Sequence, residues 1–139
     1  MNTEHTEKGM YLNEESGFIK HNGVRIISIT DEESVLEADI TENSTNVWGI
    51  VHGGLIFTMA DTAAGAYARA HHNGMNVTVD TFISFLNPAK DVKKLCAVCR
   101  PRHVGRSVGT YCVRVTDDKG QDIAEATVTM RLFPAREHI

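Results

Sequence analysis

The sequence predicts an α+β fold in which one antiparallel sheet covers a single long helix. Three observations predict it. Alternating apolar and polar residues, the two-residue period of a half-buried strand, recur in short segments separated by turn residues. One segment, Leu55 to about His72, is instead long and apolar nearly all round, as in a buried helix. The order is strand, strand, helix and then about four strands, and one sheet around one helix buries all their apolar faces.

The strands are placed by their alternation and by the turn residues between them. The predicted ranges are 24–29, 34–40, 77–86, 95–103, 108–116 and 124–132. Residues 30–33 are predicted to join the first two strands as a hairpin, and the polar residues 41–48 to form a loop. A turn is predicted at residues 117–120 before the last strand. Five alternating residues of the third strand are expected to share one face: Val77, Val79, Thr81, Ile83 and Phe85.

The helix is predicted to end at Asn73-Gly74, with Gly74 as a left-handed cap. From Leu55 to Ala68 its only charged residue is Asp61, and its second half is mostly alanine and glycine. A helix of this composition is expected to be buried on most sides, and its small side chains allow other backbones to come close. We therefore expect it to be the central element.

The length of 139 residues fits one domain. We expect a loosely packed leader at residues 1–22 that can carry a short helix, a domain at residues 23–134 and a tail at residues 135–139. No apolar run approaches the roughly 18 residues that span a bilayer, and the polar N-terminus lacks the apolar segment of a signal peptide. The expected compartment is the cytoplasm, with no membrane partner.

The three cysteines suit a reducing compartment, since an odd number cannot all pair within one chain. Cys96 and Cys99 form a C-x-x-C, but in a strand these positions point to opposite faces. No second pair and no suitably spaced histidine completes a zinc site. We expect small thiols in the interior and no metal site.

Charge argues against a nucleic-acid partner, because the net charge is −4 and phosphate contacts need concentrated lysine and arginine. The basic residues are nevertheless clustered: seven of the 14 lie within residues 90–114, with one acidic residue among them. Such a patch suits a small polyanionic ligand. A solvated sheet face is the alternative interpretation.

The segment from Asn46 to Thr62 carries two features that point to chemistry. Gly53 and Gly54 lie at the helix N-terminus, where N–H groups lack intrahelical partners and the helix dipole favours negative charge. Such a terminus binds a phosphate or the oxyanion of a carbonyl under attack. Asp61 is a carboxylate in the middle of the apolar helix, where it needs a partner or a function. A structural aspartate bonded to its neighbours is the alternative.

The spacing of these two features bears on assembly. Gly53 and Asp61 are eight residues apart on one helix, about 12 Å along its axis. A single carbonyl group cannot easily touch both residues of one chain. In a two-fold dimer with antiparallel helices, Gly53 of one subunit approaches Asp61 of the other, which predicts two shared sites.

The motif His52-Gly53-Gly54-x6-Asp61-Thr62, preceded by Asn46 and Gly49, resembles the signature of the phenylacetic-acid-degradation (PaaI-like) hotdog thioesterases. The resemblance runs from about residue 18 to residue 132 and includes Asn87-Pro88-Ala89-Lys90 and Gly105-Arg106. It implies a hotdog fold, with five to six strands wrapped around the helix. It also implies hydrolysis of acyl-CoA without metal or organic cofactor, by a homo-oligomer: a hotdog dimer, or a tetramer in which two such dimers pair.

The resemblance also implies roles for single residues. The Gly53 N–H polarises the thioester carbonyl, and Asp61 of the facing subunit attacks it or acts as general base for water. Asn46 and His52 lie beside the carbonyl or orient the nucleophile. Thr78 stands where related enzymes place a hydroxyl that helps to hold the water, although an ordinary strand threonine fits the position equally well.

Substrate contacts are predicted from charge and apolarity. Gly54 is expected to contribute to the substrate-binding helix N-terminus. Lys90, Arg102 and Arg106 are the candidates for the CoA phosphates. Phe57, Met59 and Phe82 are candidates for an acyl pocket, with ordinary core positions as the alternative, and Trp48 for a cover over its entrance.

Two other functions compete with hydrolysis. A hotdog dehydratase or hydratase pairs a histidine with a carboxylate for proton transfer on the acyl chain, and its helix motif differs from the one found here. A non-catalytic acyl-CoA-binding hotdog module keeps the pocket and the basic patch but has no need of a carboxylate at position 61. Asp61 therefore favours the hydrolase.

Overall fold

A six-stranded antiparallel sheet with a 19-residue helix on one face forms the core of the fold. The computed structural model describes residues 16–135. In chain order the elements are α1 Gly17–His21, β1 Val24–Ile29, β2 Ser34–Asp39, the 3₁₀ turn Glu42–Ser44, α2 Gly53–His71, β3 Asn76–Phe85, β4 Lys94–Val104, β5 Val108–Asp117 and β6 Asp122–Leu132. The strand order is β1-β2-β4-β5-β6-β3, which leaves β1 and β3 as the edges.

The predicted fold class is confirmed, and each predicted strand lies within two residues of its observed bounds. The hairpin turn at residues 30–33 is present, closed by a hydrogen bond from Thr30 N to Glu33 O. The turn after β5 is also present. There Gly120 takes a positive φ of 80°, and Asp117 Oδ1 accepts the N–H groups of Lys119 and Gln121.

The core lies between the sheet and one face of α2, which contacts all six strands. Met59, Ala60, Ala63 and Ala64 recur at the three- and four-residue spacing of one helix face, and each has no exposed surface. The alanines let the helix backbone approach the sheet closely. The buried Ser34 hydroxyl donates a hydrogen bond across this interface to the Ala63 carbonyl at 2.7 Å.

The end of α2 differs from the prediction. The C-cap is His72 in extended conformation, with φ −124°, and its N–H bonds to Ala68 O. Gly74 is not among the glycines with positive φ, so the predicted left-handed cap is wrong. A Cβ at Gly74 would lie 2.1 Å from the Phe133 carbonyl oxygen, so this glycine is required for a close approach of two backbone segments.

The strand β3 also departs from simple alternation. Its register with β6 shifts between Thr78 and Asp80, which makes Val79 the extra residue of a β-bulge. Thr81, Ile83 and Phe85 share one face, as predicted. That face is toward α2, because these residues pair with β6 residues that face the core or its margin. Before the bulge the alternation is reversed: Val77 pairs with Arg131 and lies on the face of the sheet away from α2, so the prediction was wrong for Val77. Thr78, which pairs with the buried Met130, is turned toward α2 instead.

Within the predicted leader, α1 lies against β1 and buries Ile19, which is 6% exposed. Most of that leader and nearly all of the predicted tail fall outside the described residues. Among residues 16–135, no helix is both long and apolar enough to cross a bilayer.

Candidate active site

The N-terminus of α2 presents two glycine N–H groups in different states. His52 is the N-cap, and its Nδ1 accepts the Gly54 N–H at 2.8 Å. The His52 carbonyl accepts the N–H groups of Leu55 and Ile56 at 3.0 and 3.4 Å. In the part of the chain that the structure describes, no hydrogen bond uses the Gly53 N–H. Of the two glycines, only Gly53 therefore offers a donor to a ligand, and the predicted ligand contact of the Gly54 amide is replaced by its bond to His52.

The same bond assigns the tautomer of His52. Because Nδ1 accepts a hydrogen bond, the hydrogen of the neutral ring is on Nε2. The His52 side chain is exposed, and its backbone N–H donates to Ser44 O at 2.8 Å. The ring thus caps the helix N-terminus through Nδ1 and presents an N–H donor at Nε2.

The loop before the motif is held by Asn46. Its Oδ1 accepts the backbone N–H groups of Trp48 at 2.9 Å and Ile50 at 3.3 Å. Gly49, with φ 77°, allows the tight return of the chain, and its N–H bonds to Asn46 O. The Asn46 side chain therefore positions the loop with its oxygen, while its amide N–H groups are its remaining donors. Trp48 is 78% exposed at the tip of this loop.

Asp61 lies two turns further along α2 and is half-buried, not enclosed as the apolar helix predicted. The helix is covered by the sheet on one side only, and Asp61 is on the uncovered side. Thr78 Oγ1 donates a hydrogen bond of 2.6 Å to Asp61 Oδ1. The sequence interpretation of Thr78 as a site residue is consistent with this contact, which depends on the bulge at Val79.

The structure thus assembles the predicted catalytic residues into two groups. Asn46, His52 and Gly53 lie at the start of α2, and Asp61 with Thr78 lies eight residues on, about 12 Å along the helix axis. Gly53 also adjoins the far end of β3, since a Cβ placed on it would be 3.3 Å from the Phe85 ring. One chain does not bring the two groups together.

A cavity of about 380 Å³ opens beside Asp61. It is lined by the uncovered side of α2, the start of β3, and residues of α1, β1 and β6. The lining residues include Ile19, Thr62, Gly65, Arg69, Asn76 and Met130. The sequence interpretation missed these residues; its only available signal was Gly65, a glycine in the middle of a helix.

None of the three residues named as acyl-pocket candidates lines the cavity beside Asp61. Met59 is fully buried in the core, and Phe82 is 74% exposed on the outer face of the sheet. Phe57 is 40% exposed on the helix surface and does not line the cavity beside Asp61. Met59 thus takes the ordinary core position that was the alternative, because an apolar side chain alone does not say on which side of the sheet it lies.

The basic patch is also divided. Arg100 pairs with Glu33 at 2.8 Å and Arg114 with Asp122 at 2.8 Å, as expected of a solvated sheet face. Lys90 forms a β-bridge with Ile50 and so lies beside the loop that precedes α2. Arg102 and Arg106 lie near the opposite end of the sheet, about 30 Å away along strands of ten or eleven residues. These three cations do not gather in one chain.

Two of the cysteine thiols are less acidic than a free thiol. Burial raises the pKa of the Cys99 thiol to about 12, and burial also raises the pKa of Cys96. Cys112 is exposed on the outer face. No cluster of three metal-binding side chains occurs among residues 16–135.

Comparison with solved structures identifies the architecture. Escherichia coli PaaI, from the phenylacetic acid degradation operon, superposes with a TM-score of 0.85 at 23% identity, over 94% of each chain. A Streptococcus mutans protein crystallised with acetyl-CoA superposes with a TM-score of 0.80 at 28% identity, over 91% of this chain and 98% of that one. The six-stranded sheet around α2 is the hotdog fold.

Sequence comparison then identifies the family. The profile of the thioesterase superfamily matches residues 49–124, which contain the start of α2, Asp61 and Thr78. The acyl-coenzyme A thioesterase PaaI of Escherichia coli K12 is 30% identical over 116 residues, 84% of this chain and 77% of that protein. A Deinococcus radiodurans relative is 32% identical over 93 residues, 67% of this chain and 62% of its own length. The chain belongs to the thioesterase superfamily, and the predicted class, a thioester hydrolase, is confirmed.

Proposed function

We propose that the protein is an acyl-CoA thioesterase, which hydrolyses a CoA thioester to free acid and CoA in a site shared by two copies of the chain. One observation carries the proposal. At the N-terminus of α2 the Gly53 N–H is available to a ligand, whereas the Gly54 N–H already donates to His52. The same helix carries Asp61, which accepts a hydrogen bond from Thr78. The name of the Escherichia coli relative and the acetyl-CoA in the Streptococcus mutans structure support the substrate class.

The Gly53 N–H supplies the electrophilic half of the reaction. It donates a hydrogen bond to the thioester carbonyl oxygen, and the bond strengthens as that oxygen becomes negative in the tetrahedral intermediate. The positive end of the helix dipole adds to this stabilisation. His52 holds the helix end in place, and its Nε2–H and the Asn46 amide are further donors beside the carbonyl.

Asp61 supplies the other half. As a general base it takes a proton from a water molecule, whose oxygen bonds to the carbonyl carbon. As a nucleophile its carboxylate oxygen bonds to that carbon and forms an anhydride, which water then hydrolyses. In either route the C–S bond breaks and CoA leaves as a thiolate that takes up a proton. A single turnover in water enriched in heavy oxygen separates the routes, because only the anhydride route can label the Asp61 carboxylate.

Pairing of two β3 strands accounts for the shared site. This strand is an edge of ten residues, longer than most, and an uncovered edge of that length invites a second strand. Val79, Phe82 and Phe85 are 61%, 74% and 54% exposed along it. Antiparallel pairing of β3 with itself around its centre buries this edge and extends the sheet across both subunits.

The register of that pairing brings the two half-sites together. With Asn76 opposite Phe85 of the partner subunit, Thr78 lies opposite residue 83. On that partner strand Phe85, which adjoins Gly53, lies two residues beyond residue 83, a distance of about 7 Å. Asp61, bonded to Thr78, therefore faces the Gly53 region of the partner subunit. This dimer is the active unit; pairing of dimers into a tetramer remains a prediction.

The dimer also brings the separated cations toward one site. Lys90 lies near Gly53 of its own chain, whereas Arg102 and Arg106 lie toward the end of the sheet where Asp61 and Thr78 are found. Lys90 of one subunit and the two arginines of the other therefore lie toward the same end of the paired sheets. We assign these residues to the phosphates of CoA, as charge-assisted contacts.

Thiol release from a panel of acyl-CoA esters tests the activity. The parent protein is expected to release CoA thiol, and Asp61→Ala to lower kcat/KM roughly 10³-fold, as expected for loss of a general base or nucleophile. Because Asp61 is half-buried, the variant is expected to keep its fold. Glu32→Ala, which removes an exposed carboxylate from the β1–β2 turn, is the control. Parental rates in Asp61→Ala would remove the assigned role.

Complementation tests the shared site. Gly53→Pro deletes the N–H, and Asp61→Ala deletes the carboxylate, so each homodimer is expected to be inactive. A mixed dimer has one intact site, so co-expression in equal amounts restores about a quarter of the parental activity. Mixed dimers that are isolated and remain inactive would contradict a site built from two subunits.

A further inference from the structure

The cavity beside Asp61 follows α2 for two turns, from Asp61 to Arg69, a distance of about 12 Å along the helix axis. Its volume of about 380 Å³ lies within the range of small-molecule pockets. The walls combine apolar side chains, such as Ile19 of α1 and Met75 toward the far end, with polar side chains that include Arg69. Asp61 therefore stands at one end of a space that can hold an extended group.

Gly65 occupies the middle of this cavity. It lies one turn beyond Asp61, about 6 Å along the axis. A Cβ built on Gly65 would be 3.6 Å from Met130 Cε and 3.8 Å from Asn76 Oδ1, two atoms of the opposite wall. A single methyl group at this position would therefore reach across the gap between helix and sheet. The far half of the cavity stays connected to Asp61 because position 65 has no side chain.

The glycine is not explained by backbone conformation or by crowding. Gly65 does not have a positive φ, so its backbone conformation does not require glycine. A Cβ added at this position would make both contacts at ordinary van der Waals distances, so crowding does not require glycine either. In a helix interior glycine costs about 1 kcal/mol relative to alanine. Four alanines surround it in α2, at positions 63, 64, 66 and 68. The one local property that distinguishes glycine from alanine here is the open passage.

We propose that this cavity receives the acyl group of the thioester and that Gly65 sets the size of the group that is accepted. The inference rests on the proposed function. An acetyl group ends before Gly65, whereas a medium-length chain or an arylacetyl group extends past it. Ile19 and Arg69 close the far end and limit the length. Gly65 is a specificity-determining residue; it takes no part in the bond changes.

Gly65→Ala and Gly65→Val test the inference, with kcat/KM measured on acetyl-, butanoyl-, hexanoyl-, octanoyl- and phenylacetyl-CoA. We expect acetyl-CoA turnover within about twofold of the parent. For octanoyl- and phenylacetyl-CoA we expect a loss of roughly tenfold in Gly65→Ala and more in Gly65→Val, the range expected when one methyl group occupies a substrate pocket. The melting temperature of Gly65→Ala should not fall, because alanine is the better helix former.

Two further variants sharpen the test. Ala70→Val adds bulk to the same helix away from the cavity, and it is expected to leave the ratio of octanoyl to acetyl turnover unchanged. Ile19→Ala enlarges the far end and is expected to raise turnover of decanoyl- and dodecanoyl-CoA relative to octanoyl-CoA.

The possible results separate this inference from the proposed function. If both Gly65 variants have the same ratio of octanoyl- to acetyl-CoA turnover as the parent protein, the role of Gly65 is overturned, while the proposed thioesterase activity is unaffected. An equal loss on all esters, acetyl-CoA included, overturns it as well, because size selection requires unequal losses. A parent protein that releases thiol from none of the esters overturns the proposed function and this inference together.

Discussion

The two sides of α2 are built for different purposes. The side toward the sheet carries Met59, Ala60, Ala63 and Ala64, all without exposed surface. The uncovered side carries Asp61, Thr62 and Gly65, which are half-buried and line a cavity. Both sides consist mostly of small residues, so composition does not distinguish them. Their surroundings do: one side packs against the sheet, and the other borders a cavity whose walls include the edge strand β3 and α1.

This difference separates stability from chemistry on a single helix. The covered side buries apolar surface and supplies the free energy of folding, at about 25 cal/mol per Å². The uncovered side keeps a carboxylate and a cavity open to a ligand. Substitutions on the two sides should therefore change different observables, and three comparisons test this in order of expected effect.

The largest effect is expected at the start of the uncovered side. Gly53→Pro removes the N–H at the first helical position, where proline fits the backbone. We expect kcat to fall roughly 10²- to 10³-fold, the cost of losing one oxyanion donor. Gly53→Ala is the matched control, because it makes the same Cβ contact with Phe85 but keeps the N–H. Equal losses in the two variants would show that crowding against Phe85, and not the donor, is responsible.

A smaller effect of a different kind is expected on the covered side. Met59→Ala leaves a cavity in the core and should lower the free energy of unfolding by about 3 kcal/mol. Its kcat/KM per folded molecule should stay near that of the parent. Denaturant unfolding and thiol release, measured on the same preparation, check both. Ile27→Ala, at an apolar position 45% exposed, should lower stability much less. A large loss of kcat in folded Met59→Ala would contradict the separation of the two sides.

The smallest effect is expected at Thr78, which joins the uncovered side to β3. Thr78→Val keeps the shape but removes the hydroxyl that donates to Asp61 at 2.6 Å. We expect kcat to fall roughly tenfold, the scale of one hydrogen bond to a charged group. Thr78→Ser restores the hydroxyl and should restore most of the activity. A pH–rate profile shifted in Thr78→Val but not in Thr78→Ser would locate the effect at Asp61.

Much of the fold could be predicted from the chain because its signals are local. Alternation placed the strands within two residues, and Asp117 to Gly120 formed the predicted turn. The predicted glycine cap at residue 74 failed for a non-local reason: the glycine is needed against Phe133, 59 residues further along. The pattern cannot reveal such a contact.

The candidate site was predicted in part for the same reason. Asp61 is conspicuous as the one charge from Leu55 to Ala68, and Gly53 as a glycine at a helix start. That the Gly54 N–H is hydrogen-bonded and the Gly53 N–H is not depends on the conformation of the His52 side chain, which a residue pattern does not predict. The acyl-pocket candidates Phe57, Met59 and Phe82 were chosen because they are apolar, and none of them lines the cavity beside Asp61.

The sequence by itself determined the order of strands and helix, and it determined that a carboxylate and a glycine-rich helix start lie eight residues apart. The tertiary structure alone decided which side of α2 stays uncovered and that Thr78 points toward Asp61. The physical reason is register. Side chains on a strand alternate between faces, so the single extra residue at Val79 moves Thr78 from the outer face to the helix side.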